Sequence, residues 1–396
     1  MIKGYKIICF GSEKWEYPGL QQTVMRLLAK NNRVLYVNPL GTRRISLSPS
    51  QFRFYFNRTI RIFSHNRAKN KNAFNNIIVC NPWIIPLVYN DIVTKFNRIL
   101  IRRQFLRLLY RHDFQKYILW LGTPSAFFLI DLFNPELLLY NPVDRYYAFS
   151  FVNKRKLRYY EEKIVKRADV NICTSDAIRN DLLPYNENSF VVSHGVDFDH
   201  FNSALLDGKI PDDIKGIPKP IIGYFGGICE RVNFRLLFRV AKRYPYASIV
   251  LIGKKLHDVA GLEKLKNVYL LGYKQFSELP LYLKEFTVCL IPYHVNELME
   301  GVDPIKLREY LCVGKPIVSV DLPEVRKFNE IVYIGKNEDD YVNKIGEAIE
   351  ERNESLIKER IRVASESDWL LKIEEISDII INALKTKNIN SSRRKN

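Results

Sequence analysis

The sequence predicts an α/β chain built as two doubly wound, Rossmann-like domains facing a central cleft. Three observations carry the prediction. At 396 residues the chain exceeds the usual size of one hydrophobic core. Short apolar runs alternate with helical stretches along most of its length, the pattern of βαβ units and parallel sheets. Near the middle, residues 203–219 turn polar and rich in Gly and Pro, and a new strand followed by glycines begins directly after them.

The first half opens with a strand at residues 6–10, breaks at Gly11-Ser12, resumes as a helix over 21–30 and returns as a strand at 33–37. That βαβ start implies a parallel sheet. Further strands are expected at 76–80, 117–121, 137–140, 168–173 and 190–192, with helices over 154–166 and 175–183. The second half restarts with Ile221-Ile222-Gly223-Tyr224-Phe225-Gly226-Gly227, then a helix over 234–243 and strands at 248–253 and 268–272. A charged helical tail follows a last short strand at 331–334. The expected division is 1–202 for the first domain, 203–219 for the linker and 220–365 for the second domain. A helix over 366–385 crosses back to the first domain, and 386–396 form a basic tail.

The stretch from Phe286 to Val320 is the richest in chemistry. An apolar strand over 286–292 and a polar loop lead to Asp303-Pro304-Ile305-Lys306-Leu307-Arg308-Glu309. Asp303 occupies an N-cap position and Pro304 the first helical position. Gly314 stands where such a helix ends, before a buried strand over 316–320. Free backbone N–H groups and the helix dipole favour an anion, and a carboxylate one turn further in accepts hydrogen bonds from vicinal hydroxyls. This is a unit suited to a diphosphate and a ribose.

The net charge of +18 is unevenly placed. Residues 17–90 hold no Asp or Glu, yet include Arg43, Arg44, Arg53, Arg58, Arg61, Arg67, Lys69 and Lys71, interleaved with aromatics around Phe54-Tyr55-Phe56. Residues 98–111 read as a basic amphipathic helix. Such surfaces suit an anionic membrane face, a nucleic acid or a polyanionic substrate, or are simply solvated, and composition leaves these open. A nucleic-acid reader is the rival class, but no recognition-helix motif, RNA-binding signature or zinc spacing accompanies the charge. An apolar fraction of 47% excludes general disorder. No apolar run is long enough to span a bilayer. The six scattered cysteines (Cys9, Cys80, Cys173, Cys229, Cys289, Cys312) lack metal or CxxC spacing, which predicts buried, reduced thiols in a cytoplasmic protein.

An ordered set of short pieces now becomes recognisable. In the first half these include Leu35-Tyr36-Val37-Asn38-Pro39, Tyr140-Asn141-Pro142-Val143-Asp144 and His194-Gly195-Val196-Asp197. In the second they include Gly223-Tyr224-Phe225-Gly226-Gly227, Leu251-Ile252-Gly253, Ile291-Pro292-Tyr293, the 304–318 block and Ser367-Asp368-Trp369. Over nearly its whole length the chain resembles the GT-B-fold glycosyltransferases of the large retaining group that includes sucrose and mannosyl transferases. More narrowly, it is similar to the bacterial subgroup around the teichuronic acid biosynthesis glycosyltransferase.

The resemblance implies transfer of a sugar from a nucleoside-diphosphate sugar, with retention of configuration, to a cell-surface polysaccharide or lipid-linked glycan. It implies no metal or other cofactor, and the departing phosphate itself assists acceptor deprotonation. Donor-binding residues would be Gly226, Gly227, Arg231, Pro304, Lys306 and Glu309. Gly226 and Gly227 form a turn where a missing Cβ admits a phosphate, Arg231 and Lys306 supply charge, and Glu309 matches the second glutamate of the group's E-x7-E motif. The first glutamate would fall at Gly301, with Glu300 one place away, so either Glu300 or Glu297 touches the sugar or this contact is absent, and a catalytically silent scaffold remains an alternative. Asp144 matches a polar position near the transferred sugar, although a turn-forming Asp is the competing reading. His194 replaces the Asn of the group's Asn-Gly-Val-Asp turn and reads as structural, and Asp197-Phe198-Asp199 reads as hinge structure. The acceptor would lie on the basic first domain, and the protein would be cytoplasmic and peripheral at the inner membrane face, with no nucleic-acid partner.

Overall fold

The computed structural model describes residues 1–16, 19–40, 76–85, 90–259 and 261–393. They fall into two compact units, Met1–Ser193 with Ile373–Asn396, and His194–Lys372. The basic, aromatic stretch from Arg43 to Lys71 lies outside the described residues.

The first unit is built on strands β1 (Lys6–Phe10), β2 (Arg33–Val37), β3 (Ile77–Cys80), β4 (Ile118–Leu121), β5 (Leu137–Tyr140), β6 (Val170–Cys173) and β7 (Ser189–Val191). They form one parallel sheet in the order β3-β2-β1-β4-β5-β6-β7. Runs such as Ile118-Leu119-Trp120-Leu121 are buried throughout, as strands covered on both faces must be. The order grows outward from the β1/β4 pair, so chain connections diverge there and leave a crevice beyond the strand C-termini. On one face Phe10 stacks on Phe105 of helix Asp91–Arg111 at 5.3 Å between ring centroids.

The second unit repeats the plan with β8 (Ile221–Phe225), β9 (Ser248–Ile252), β10 (Val268–Gly272), β11 (Val288–Ile291), β12 (Ile317–Val320) and β13 (Tyr333–Gly335). They are again all parallel, in the order β10-β9-β8-β11-β12-β13. The divergence point is now the β8/β11 pair.

Several expectations need amendment. Residues 203–219 group with the second unit: Phe201 stacks on Phe225, Ala204 and Ile214 are buried, and Asn202 Nδ2 donates to the Cys312 carbonyl at 2.8 Å. The helical tail is three helices, Glu338–Glu350, Glu354–Ser365 and Trp369–Arg393, and the last continues through the segment read as a basic tail. Its later part is held to the first sheet, because Lys387 Nζ reaches Asp169 Oδ2 at 2.6 Å. The same Asp169 oxygen accepts the Leu138 N–H at the start of β5, at 2.7 Å. Helix Asp91–Arg111 forms, with Asn90 as its N-cap, but its apolar residues are not gathered on one face: Ile101 and Phe105 are buried while Phe96, Ile99, Leu106 and Tyr110 are exposed. All six cysteines are free, but Cys80 and Cys229 are only half-buried.

Candidate functional site

The second unit gathers most of the expected donor residues at the divergence point of its sheet. β8 ends at Phe225, and Gly226 leaves the strand with φ of +137°, a conformation that suits glycine. Close approach also requires it, since a Cβ on Gly226 would stand 2.1 Å from Lys306 Cε. Gly253, at the end of β9, has φ of +152° and packs so tightly that a Cβ would meet the Gly226 carbonyl oxygen at 1.8 Å. Gly227 is exposed, and a Cβ there would meet nothing closer than 3.9 Å.

Across the sheet, the chain leaving β11 is tied to the segment after Gly227. Asn233 N–H donates to the Pro292 carbonyl at 2.7 Å and His294 N–H to the Arg231 carbonyl at 3.0 Å, with an antiparallel bridge between Val232 and Tyr293. Asn233 also caps helix Phe234–Arg243 through its side chain. The pairing brings Arg231, Tyr293 and Lys306 into electrostatic contact. Lys306 Nζ lies over the Tyr224 ring, 5.7 Å from its centroid.

Glu309 is 7% exposed, one turn along helix Ile305–Leu311 from Lys306. Among the described residues no hydrogen bond reaches its carboxylate. Burial pushes its pKa up to about 7, and the Lys306 ammonium opposes that rise. For Lys306 itself burial acts to lower the pKa, but Tyr293 and Glu309 outweigh it, so the lysine stays charged. A charged lysine and a buried carboxyl with hydrogen-bonding capacity to spare therefore stand beside a glycine turn.

The start of that helix differs from the sequence expectation. Asp303 does not cap it; Pro304 is the N-cap residue, and no side chain closes the first turn. Asp303 is buried: Oδ2 accepts the His194 backbone N–H at 2.8 Å, and Oδ1 pairs with Arg308 Nη1 at 2.6 Å. Burial alone would raise the Asp303 pKa, but Arg308 and His194 together hold it below the usual carboxylate value. Gly314 ends the helix region with φ of +68°, and a Cβ there would collide with Ile357 Cγ2 at 2.6 Å. His194 is buried near Trp369, and Asp197 caps the short helix Phe198–Asn202.

Glu300 closes the short helix Glu297–Glu300, is exposed, and adds to Asp321 in favouring the charged form of Arg326. Gly301 caps that helix and is buried. Asp144 belongs to the first unit, half-buried in the turn after β5, where its carbonyl accepts the Tyr146 N–H at 2.9 Å. Its charge helps to raise the Tyr146 pKa, second to burial. The Tyr146 hydroxyl donates to the Gly122 carbonyl at 2.8 Å, beyond the end of β4.

Two participants were given no role by the sequence reading. Tyr293 hydrogen-bonds Lys306, and Tyr224 lies beneath its ammonium. Both follow or end buried strands, a signal shared by any core tyrosine.

Residues 219–351 match the family described as Glycosyl transferases group 1. Over 278 residues the chain is 25% identical to TuaH of Bacillus subtilis strain 168, named as a teichuronic acid biosynthesis glycosyltransferase, covering 64% of this chain and 69% of that protein. Among solved structures it is similar to the α,α-trehalose 6-phosphate synthase of Burkholderia multivorans, with a TM-score of 0.68 and 11% identity, covering 98% of this chain and all of that one (100%). It is also similar to the E. coli trehalose-6-phosphate protein bound with UDP-2-fluoro glucose, with a TM-score of 0.66 and 12% identity, covering 94% and 98% of the two chains. The fold is GT-B, and the match to the group 1 glycosyltransferases lies on its second unit, over residues 219–351.

Proposed function

We propose that the protein transfers a sugar from a nucleoside-diphosphate sugar to a polysaccharide or lipid-linked glycan, with retention of configuration. The observation that carries this reading is Glu309, a buried carboxyl beside Lys306 and the Gly226 turn at the β8/β11 divergence point. A ribose supplies the vicinal hydroxyls such a carboxylate accepts, and Lys306 with Arg231 supplies charge for the diphosphate as it departs. The similar E. coli protein bound with UDP-2-fluoro glucose supports a nucleotide-sugar donor, and the likeness to TuaH supports an envelope polysaccharide acceptor. In this reading Asp144 and Glu300 approach the transferred sugar, the leaving phosphate receives the acceptor proton, and no metal takes part.

The reading extends to location. No helix among the described residues is long and apolar enough to cross a membrane. Helix Asp91–Arg111 exposes Phe96, Ile99, Leu106 and Tyr110 among Lys95, Arg102, Arg103 and Arg107. Apolar side chains set among cations fit the anionic inner face of the cell membrane, each nearby cation contributing about 1 kcal/mol. Flotation with vesicles should depend on anionic lipid; equal binding to neutral vesicles would remove this part.

Calorimetry with UDP-, GDP-, ADP- and TDP-sugars against the wild type and Glu309→Ala tests the donor. Saturable binding to one nucleotide class, lost in Glu309→Ala, is expected. A folded wild type that binds none would favour the silent scaffold, for which Gly301 at the first-glutamate position is the specific observation.

A further inference from the structure

The turn after β8 is pinned on either side of Gly227. Gly226 N–H donates to the Ile252 carbonyl at 2.8 Å and Ile228 N–H to the Lys254 carbonyl at 3.1 Å. Between them Gly227 is exposed, and among the described residues no hydrogen bond engages its N–H. Its carbonyl, by contrast, is taken: the Tyr224 hydroxyl donates to it at 3.2 Å.

That bond is the last link of a chain. The Tyr224 and Tyr293 hydroxyls hydrogen-bond each other, and their rings meet edge to face, 6.5 Å apart at 82°. Tyr293 in turn hydrogen-bonds the Lys306 ammonium. The ends fix the direction, because an ammonium can only donate and a carbonyl can only accept. Lys306 therefore donates to Tyr293, Tyr293 to Tyr224, and Tyr224 to Gly227. Burial, then the neighbouring Tyr293 and Tyr310, pushes the Tyr224 phenol well above its ordinary range, so it stays a donor.

Packing alone calls for neither hydroxyl. Tyr224 and Tyr293 are both buried, and phenylalanine would fill either place without burying a polar group. Tyr310 serves the strand instead, since its hydroxyl accepts the Phe225 N–H at 3.3 Å. Among the described residues Lys306 makes no other hydrogen bond, so its ammonium has donors to spare for a ligand.

We propose that Tyr293 is a positioning residue: together with Tyr224 it couples the Lys306 ammonium to Gly227, so that lysine and turn meet one diphosphate as a unit. This rests on the transferase reading of the turn and of Lys306. Hydrogen bonds in such a chain polarise one another, so breaking one link weakens the rest. The groups around the ammonium act in opposite senses. Tyr293 and Glu309 favour its charged form, Arg231 and burial oppose it, and Tyr224 presents its ring face.

The test is a double-mutant cycle on the full chain with Tyr293→Phe, Tyr224→Phe and the two combined. Calorimetry with UDP, GDP, ADP and TDP reads binding. Carbon-13 NMR of labelled lysine side chains, with the Lys306 signal assigned through Lys306→Arg, reads the titration midpoint of the ammonium. Each single variant should weaken binding of the preferred nucleotide about tenfold, and the combined variant little further. The Lys306 midpoint should fall to lower pH in Tyr293→Phe, because a hydrogen bond that favours the charged form is gone. A merely structural tyrosine would leave that midpoint in place. Losses that multiply to about a hundredfold in the combined variant would overturn the relay, as would an unmoved midpoint in Tyr293→Phe. Should Tyr224→Phe fold poorly, the lysine measurement on Tyr293→Phe decides alone. A wild type that binds none of the four nucleotides would remove the transferase reading, and the proposal with it, whatever the lysine titration shows.

Discussion

Lys306 occupies the space that a side chain on Gly226 would need: its Cε lies 2.1 Å from the ideal Cβ position and its Nζ 2.6 Å. The glycine is therefore part of the lysine's placement. A methyl group at Gly226 pushes the ammonium away from the Tyr224 ring and strains a backbone with φ of +137°.

Gly226→Ala should weaken nucleotide-sugar binding about tenfold or more, the equivalent of one charge-assisted contact. Gly227→Ala, which meets nothing closer than 3.9 Å, should have much less effect. Calorimetry on the two variants checks this; equal losses would show that Lys306 placement is not what Gly226 protects.

Glu309 gives a signed pH effect. Its pKa is about 7 in the folded protein against an ordinary 4.5, so between these values the folded state holds a proton the unfolded state has released. Its contribution to stability is fully present below about pH 4.5 and is lost as pH rises through about 7, a change of roughly 3 kcal/mol. Glu309→Gln, neutral throughout, should gain on the wild type by this order between about pH 5 and pH 8 in urea unfolding. A difference that stays constant across the range would contradict the assignment.

Asp303 has the opposite sign. Arg308 and the His194 N–H keep its pKa below the ordinary 3.8, so its contribution is present above that value and lost as pH falls through its folded pKa. Removing it also strands a buried guanidinium. Asp303→Ala should cost about 3–5 kcal/mol, readable in urea unfolding near neutral pH. A loss below about 1 kcal/mol would mean that water or a rearranged partner satisfies Arg308.

Arg360 should be as sensitive. It is fully buried (0% exposed), its two terminal nitrogens meet Glu351 at 2.5 and 2.7 Å, and Nε donates to the Ile331 carbonyl at 2.8 Å. It also reaches the Gly314 carbonyl at 3.3 Å, behind the helix that carries Glu309. Arg360→Ala should lose about 3–5 kcal/mol and weaken nucleotide binding as well. Unchanged binding in the folded variant would separate the clamp from the site.

Both sheets were legible in the sequence because their strands are mainly apolar and several of the helices between them begin at Asn, Ser or Asp caps. Gly226, Lys306 and Glu309 were legible through an ordered set of motifs. Asp303 was misread because an Asp before a Pro and a helix has the local signature of a cap, whereas its carboxylate is taken by Arg308 and by the His194 N–H, 109 residues away. Asp144 and Glu300 are placed by the fold, but their roles depend on a bound sugar.

The division of the chain also sets an order of events at the ribosome. The second unit is continuous from His194 to Lys372, whereas the first needs the segment from Ile373 onward. Until that segment emerges, Asp169 lacks Lys387. Synthesis runs from the N-terminus at about 5–20 residues per second, so the later-encoded unit has its full sequence first. The earlier one waits, its sheet made but its last helix absent. A chain truncated after Lys372 and released should therefore hold a protease-resistant second unit joined to a first that is still open to cleavage.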